Sequence, residues 1–199
     1  MLFKLIQSDK NISDTEFNKI YPHWIRELAL THFSPLEVSK VAVGWLSEPG
    51  ISKILDIGAG AGKFCTIGAS VSTAVFYGVE QRIELCTIGK EVCERFRISN
   101  VDMIHANVMD IAFKDYDAFY FFNSFHENLS VDERMDDTVM LNRELYKQYS
   151  DYVREQLNGM PDGTKVVTYF SHQREIPACY QLQCSDFDQK LKLWIKTAS

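Results

Sequence analysis

Residues 54–64 of the chain read Ile54-Leu55-Asp56-Ile57-Gly58-Ala59-Gly60-Ala61-Gly62-Lys63-Phe64. A short apolar run reaches an acidic residue, three glycines then alternate with small residues, and a helical pattern follows. This order predicts a strand, a tight turn and a helix, which together open a nucleotide-binding α/β unit. Glycine suits a turn that needs a positive φ, or a backbone that a ligand touches. The helix start beyond the turn is expected to have unpaired N–H groups that point towards a ligand.

The spacing of the glycines distinguishes between the ligands that such a turn can bind. A dinucleotide-binding turn has the pattern G-x-G-x-x-G. Started at Gly58, that pattern puts its third glycine on Lys63; started at Gly60, it puts the third glycine on Cys65. A P-loop needs Gly-Lys followed by Ser or Thr, whereas Phe64 follows here. Neither phosphate-binding pattern fits.

The pattern that matches is the acid-x-Gly-x-Gly-x-Gly opening of class I S-adenosylmethionine-dependent methyltransferases, which this stretch closely resembles. In that family the loop wraps the methionine part of the cofactor, and the acid helps to hold its amino group, directly or through water. The resemblance implies S-adenosylmethionine as cofactor, S-adenosylhomocysteine as product, and cofactor contacts from Asp56, Gly58, Gly60 and Gly62. The alternative is a glycine-rich turn without a ligand, but three spaced glycines are expected to cost folding entropy without a packing reward.

Composition predicts one compact domain. The chain has 199 residues, 46% hydrophobic and 24% charged, which is near the globular average and long enough for a sizeable core. We expect a single methyltransferase domain over 1–199. Within it, residues 1–48 would form a helical cap over the cofactor site, and 50–199 a Rossmann-like core.

Charge and hydropathy restrict the partners. The formal net charge of −6 gives no global positive field, which disfavours nucleic acid, although a local basic patch stays compatible. No apolar run approaches the roughly 20 residues that span a bilayer, and the first residues meet charge too early for a secretory signal.

The five cysteines form no C-x-x-C pair and are odd in number. They indicate reduced thiols in a cytoplasm. Cys86 and Cys93 lie seven residues apart on one apolar helix face, and burial explains these two better than metal ligation.

Two capping patterns predict helices before the first strand. Ser13-Asp14-Thr15-Glu16 has the form of a capping box, and Pro22 interrupts the apolar periodicity behind it, which predicts either two short helices or one bent helix. Ser34-Pro35-Leu36-Glu37 is a second box, with serine at the cap and proline at the first helical position. The junction at 32–35 is either a plain turn or a lid.

Strands and helices then alternate, which predicts a parallel sheet with helices on both faces. The predicted strands are 51–57, 73–79, 101–105, 116–122, 165–170, 179–184 and 191–196, and the predicted helices are 64–71, 82–96 and 132–157. The resemblance implies an α/β, three-layer Rossmann-like methyltransferase fold. It has a seven-stranded, mostly parallel sheet, an antiparallel C-terminal strand pair and extra N-terminal helices.

Polar residues follow the second and third strands. Glu80 lies about 20 residues past the glycine turn, where a carboxylate accepts hydrogen bonds from both ribose hydroxyls. Dehydrogenases share this device, and a surface glutamate at a helix start is the alternative. Gln81, the next residue, is included in the predicted cofactor site. After the third strand the family usually has an acid that binds the adenine amino group. Asn107 takes that place with an amide oxygen, Val108 would contact the ring, and Asp110 is the alternative to Asn107.

Asn123 follows a buried apolar run that predicts a central strand. Because the first and fourth strands flank the point where strand order reverses, Asn123 should face the cofactor's methyl group. Amino-methylating members of the family place Asn or Asp here, often before a Pro-Pro pair that this chain lacks. Asn-Ser-Phe is similar to the asparagine-containing segment of the seven-strand-fold lysine methyltransferases. The alternative is that Asn123 only caps the strand end.

The resemblance implies methyl transfer from S-adenosylmethionine to an acceptor that the sequence does not identify. Asn123 favours an amine nitrogen of a protein or small molecule, because its oxygen can stabilise positive charge on the attacking amine. His126 and Glu127 are given no catalytic role, since a loop His–Glu pair is expected to face solvent. Three alternatives stay open: a non-catalytic S-adenosylmethionine-binding sensor or interaction module, a methyltransferase of adenine amines in nucleic acid, and a dehydrogenase.

Overall fold

The computed structural model describes residues 2–8, 12–130, 134–171 and 173–198. Four helices precede the first strand: α1 (Leu2–Gln7), α2 (Asp14–Asn18), α3 (His23–Leu28) and α4 (Leu36–Leu46). The central elements are β1 (Lys53–Ile57), α5 (Lys63–Val71), β2 (Val75–Glu80), α6 (Ile83–Phe96), β3 (Val101–His105) and β4 (Ala118–Phe122). The last are α7 (Arg143–Asn158), β5 (Lys165–Tyr169), β6 (Tyr180–Asp186) and β7 (Leu191–Lys196). The predicted alternation of strands and helices is confirmed.

The seven strands form one sheet in the order β3-β2-β1-β4-β5-β7-β6. Strands β1 to β5 pair in parallel, and β7 pairs antiparallel with both β5 and β6. The predicted α/β fold class, with its antiparallel C-terminal pair, is therefore confirmed. Strand β4 lies in the middle of the sheet and its first four residues are buried, which is why its sequence is an uninterrupted apolar run.

Helices cover both faces of the sheet. Successive residues of a strand face opposite sides, so Leu55 packs in one apolar cluster with Val153 of α7, whereas Ile54 packs in another with Leu46 of α4. Strand order reverses between β1 and β4. The carboxyl ends of these two strands therefore flank a topological switch point, where sheets of this kind bind their ligands.

The first capping box is present at the start of α2. The Ser13 hydroxyl accepts from the Glu16 N–H, and the Glu16 carboxylate accepts from the Ser13 N–H. Pro22 separates α2 from α3, so the chain forms two short helices rather than one bent helix. This segment contacts the glycine turn, because the Tyr21 hydroxyl donates to the Ala61 carbonyl at 3.2 Å.

The second capping box is absent, and that prediction was wrong. Pro35 occupies the cap position of α4, and the Ser34 hydroxyl is 2.6 Å from the Tyr120 hydroxyl of β4. The N–H of Leu36 is instead satisfied by Asp14, whose Oδ1 lies 3.0 Å away. A tertiary partner thus caps this helix in place of the local serine.

Helix α7 begins later than the predicted start at 132. Residues 131–133 lie outside the described residues, and 134–142 form no helix. Asn142 is the cap, and its side chain accepts from the Leu145 N–H at 2.9 Å. Upstream, the Arg134 guanidinium donates to the Leu141 carbonyl at 3.2 Å, which holds the segment in a loop. None of the described helices is both long and apolar enough to cross a membrane.

Candidate functional site

A cavity of about 570 Å³ opens at the carboxyl ends of the parallel strands, within the size range of small-ligand pockets. Six of the predicted site residues line it: Gly58, Glu80, Gln81, Asn107, Val108 and Asn123. Thr31 and His32 also line it, so the N-terminal helical region contributes to its wall. Among the described residues, no group of His, Cys, Asp or Glu is arranged to hold a metal ion.

The other three predicted residues lie behind the cavity wall rather than on it. Gly60 and Gly62 belong to the turn, and Asp56 is only 4% exposed. The Asp56 carboxylate accepts a hydrogen bond from the Cys65 thiol at 3.5 Å. Any contact of Asp56 with a ligand therefore has to pass through the turn or a water molecule.

The backbone of the glycine turn is already hydrogen-bonded. The N–H groups of Gly58 and Ala59 both donate to the Val79 carbonyl, at 3.0 and 2.9 Å. The Gly62 N–H donates to the Ala59 carbonyl at 2.9 Å, and the Gly60 N–H donates to Glu80 at 2.9 Å. These four N–H groups of the turn are therefore bound within the protein, whereas the expectation of unpaired N–H groups concerns the start of α5 beyond the turn.

At each glycine of the turn, an added Cβ would crowd a neighbouring side chain. Gly58 has a φ of +76°, and a Cβ there would meet the Ser124 side chain, whose hydroxyl donates to the Ile57 carbonyl. A Cβ on either of the others would press on a side chain, Phe33 at Gly60 and Met103 at Gly62. The expectation that these glycines lack a packing reward was therefore wrong. The cavity and its polar groups, rather than the glycine pattern alone, support a ligand.

Glu80 is a buried carboxylate on the cavity wall, with 4% of its surface exposed. It is not the surface residue that was considered as an alternative. Its Oε2 accepts from the Gly60 N–H at 2.9 Å, and its Oε1 accepts from the Arg82 N–H at 2.8 Å. Burial raises the pKa of this carboxyl. A carboxylate has about four acceptor positions, so two stay available for a pair of hydroxyl donors.

Arg82 and Glu127 form a buried ion pair that the sequence pattern does not predict. The two guanidinium NH groups donate to the two carboxylate oxygens at 3.2 and 2.8 Å. Arg82 Nε also donates to Asp136 at 3.0 Å, and the Met135 N–H donates to Glu127 at 2.9 Å. Glu127 is only 8% exposed, so the expectation that it faces solvent was wrong. The pair ties the end of β2 to the loops after β4.

Asn107, and not Asp110, lies on the cavity wall. Its amide nitrogen donates to the Tyr149 hydroxyl at 3.0 Å, and its oxygen accepts from the Met109 N–H at 3.0 Å. These two bonds fix the orientation of the side chain and leave one lone pair on the oxygen. Val108 is buried beside it, whereas Asp110 is exposed.

Asn123 follows the last residue of β4 and has a φ of +40°. Asparagine is among the few side chains that tolerate the left-handed region. The backbone carbonyl of Asn123 accepts from the His126 N–H at 3.0 Å, which starts a short helical turn. Asn123 and Gly58 line the same cavity from β4 and β1, on the two sides of the switch point.

Asp56 should make stability depend on pH. Burial raises its pKa to about 7, the Cys65 thiol partly offsets the rise, and nearby Glu80 adds to it. Because the folded state holds this proton more tightly than the unfolded state, its contribution to stability falls as pH rises from about 4 to about 7. The free energy of unfolding of Asp56→Asn, measured relative to the wild type, should therefore rise by about 2 kcal/mol between pH 5 and pH 8. Urea unfolding at both pH values measures the difference in unfolding free energy between the two proteins. The same difference at both pH values would contradict the prediction.

Comparison with known proteins shows the fold of the chain. No known family model matches it, and neither does any curated protein sequence. A solved structure from Staphylococcus aureus, given as a candidate caffeoyl-CoA O-methyltransferase, aligns over 98% of this chain and 97% of its own, with a TM-score of 0.60 and 14% identity. An RNA methyltransferase from Salinibacter ruber, in complex with S-adenosyl-L-homocysteine, aligns over 83% and 94%, with a TM-score of 0.57 and 15% identity.

A third similar structure is an S-adenosylmethionine-dependent methyltransferase from Aquifex aeolicus. It aligns over 93% of this chain and 97% of its own, with a TM-score of 0.54 and 12% identity. At these identities the likeness establishes the architecture and not the activity. The chain has the class I methyltransferase fold.

Proposed function

We propose that the chain is an S-adenosylmethionine-dependent methyltransferase that acts on an amine nitrogen of a protein or small molecule. The observation that carries this proposal is one cavity at the switch point, lined by a buried carboxylate, Glu80, and by Asn123. Glu80 suits the ribose of an adenosine, and Asn123 suits the reacting end of the cofactor. Residues 1–48 would act as a cap over this site, with Thr31 and His32 at the cavity wall.

The adenosine part of the cofactor fits the groups around Glu80. The Glu80 carboxylate has two acceptor positions left for the ribose hydroxyls. The Asn107 oxygen can accept from the adenine amino group, and buried Val108 offers an apolar surface to the ring. Gln81 lines the same part of the wall. Gly58 would lie against the methionine part, with Asp56 behind it.

A dinucleotide fits the same cavity poorly. A pyrophosphate binds backbone N–H groups at a helix start and the turn before it, and in this turn those of Gly58, Ala59, Gly60 and Gly62 all donate within the protein. Among the described residues that line the cavity, the one permanent cation is Arg82, whose charge is already matched by Glu127. These contacts favour a methyltransferase over a dehydrogenase.

The protein's part in the reaction would be to position the acceptor and to stabilise charge. When bound, the cofactor supplies a methyl group on a positively charged sulfur. Asn123 would hold the attacking nitrogen in line with that methyl group. Its amide oxygen would also stabilise the positive charge that develops on the nitrogen. An amine that arrives neutral needs no general base, so His126 and Glu127 have no required step.

Tritium transfer tests this proposal. Purified protein is incubated with S-adenosylmethionine labelled on the methyl group and with fractionated lysate, and label is counted separately in protein, RNA and small molecules. The RNA fraction is included because Asn123 also suits an adenine amine and because one structural relative is an RNA methyltransferase. Label in the protein or small-molecule fraction supports the proposal. Cofactor binding with no label in any fraction would instead favour a non-catalytic sensor.

Alanine variants of Asn107 and Asp110 form a matched pair that tests which of the two side chains contacts the adenine. We expect Asn107→Ala to weaken S-adenosylhomocysteine binding about fivefold to tenfold, since one net hydrogen bond is lost. Asp110→Ala removes an exposed side chain that does not line the cavity, so its affinity should match the wild type. Calorimetry on both variants measures the difference. A larger loss from Asp110→Ala than from Asn107→Ala would mean that the adenine is held elsewhere.

A further inference from the structure

Of the three phenylalanines that line the cavity, two lie at the ends of the neighbouring strands β4 and β5. They are Phe122 and Phe170, and we call this pair the aromatic wall. Their ring centroids are 6.3 Å apart, and Tyr169 packs against both, at 4.9 Å from Phe122 and 4.7 Å from Phe170. The cavity thus has an aromatic surface beside the residue proposed to face the methyl group.

Phe170 has a strained backbone conformation. Its φ is +52°, a region that is unfavourable for a bulky side chain. The side chain is 45% exposed, so core burial does not compensate for the strain. What this conformation does provide is an aromatic ring on the cavity wall. Strain of this kind tends to persist where a site requires it.

The charged groups around the aromatic wall already have partners. Among the described residues that line the cavity, the carboxylates are those of Glu80 and Glu127. The Glu127 carboxylate is paired with Arg82, and the Glu80 carboxylate is the group assigned to the ribose of the cofactor. A cation that leaves water needs a charged partner. In addition, the ammonium of Lys190 already lies 5.2 Å from the centroid of the Phe170 ring, where it would repel a second cation.

We propose that the aromatic wall binds the methyl acceptor as a neutral planar group, an aryl or heteroaryl ring that carries the nucleophilic nitrogen. A protonated alkylamine, such as a lysine side chain, is disfavoured. This inference rests on the proposed methyl transfer and narrows its acceptor class. Phe170 is then a specificity-determining residue, because a flat ring can stack against it.

Binding of two matched probes tests the proposal. Aniline and cyclohexylamine have the same ring size and one nitrogen each, but aniline is flat and neutral at pH 7.5 whereas cyclohexylamine is protonated. Each is titrated by ligand-observed NMR into wild-type protein saturated with S-adenosylhomocysteine. We expect aniline to bind about threefold to tenfold more tightly, the range of one stacking contact, because no charge has to leave water.

Variants of Phe170 complete the test. Phe170→Ala should weaken aniline binding about fivefold or more, and Phe170→Trp should retain it, because stacking needs a ring. Phe170→Gly suits the positive φ, so it should lose aniline binding without loss of thermal stability. Cyclohexylamine binding as tightly as aniline, or aniline binding unchanged in the alanine and glycine variants, would overturn the inference. Affinity for S-adenosylhomocysteine is measured first, and its absence in the wild type would overturn the proposed function itself.

Discussion

Glu80→Ala is expected to lower the affinity for S-adenosylhomocysteine by about 100-fold or more, because two hydrogen bonds from the ribose to a charged acceptor are lost. The carboxylate lies on the cavity wall, is buried, and has acceptor positions to spare beyond Gly60 and Arg82. Isothermal titration calorimetry on the purified variant measures the loss. This is the largest effect on cofactor binding that we expect from any single side chain.

Two controls separate ligand contact from disruption of the turn, since Glu80 also accepts from the Gly60 N–H. Glu80→Gln keeps the shape and one oxygen acceptor, so we expect an intermediate loss of about tenfold. Thermal melting of each variant without ligand reports on the fold. If Glu80→Ala melts like the wild type and binds S-adenosylhomocysteine within a few-fold of it, the ribose assignment is wrong.

Asn123→Ala is expected to lower methyl transfer by about 100-fold to 1,000-fold, comparable to the loss of one preorganised polar group at a reacting centre. The product cofactor has no methyl group to position, so its affinity should change by less than about threefold. The assay is tritium transfer into whichever acceptor fraction the wild type labels. Calorimetry with S-adenosylhomocysteine accompanies it.

Backbone strain is the confounding effect at this position, because Asn123 has a φ of +40° and alanine tolerates that region less well. Asn123→Gly adopts the same φ readily and lacks the side chain. Equal loss of transfer in the two variants would assign the effect to the amide. If the glycine variant keeps wild-type transfer, Asn123 only shapes the chain after β4.

The sheet could be predicted because its signals are local. β3 and β7 were predicted with the observed bounds, since each is a short run between turn residues. Helix α7 was predicted to start too early, because the cap at Asn142 and the loop contact of Arg134 are not visible in the helical pattern. The serine box at Ser34 failed for a related reason, since Tyr120 takes its hydroxyl.

The site could be predicted where position along a strand decides the role. Glu80 ends β2, Asn107 follows β3 and Asn123 follows β4, all at the same edge of the sheet, and all three line the cavity. The ion pair of Arg82 and Glu127 joins residues far apart in sequence, and no spacing rule connects them. Pairings of that kind need the tertiary structure.

The aromatic wall was missed for a similar reason. Phe122 and Phe170 come from different strands, and their proximity depends on the pairing of β4 with β5. The turn glycines show the reverse case, because their pattern was recognised while their packing partners, such as Ser124 against Gly58, were not. A local pattern can therefore predict a turn correctly without revealing what the turn contacts.

Calorimetric titration of the wild-type chain with S-adenosylhomocysteine, and separately with NAD, decides which cofactor this cavity binds. The occupied N–H groups of the glycine turn and the free acceptor positions of Glu80 predict one S-adenosylhomocysteine bound per chain, with NAD weaker by at least about tenfold. Tighter binding of NAD, or no binding of S-adenosylhomocysteine, would contradict the assignment of this cavity to the methyl-donor cofactor.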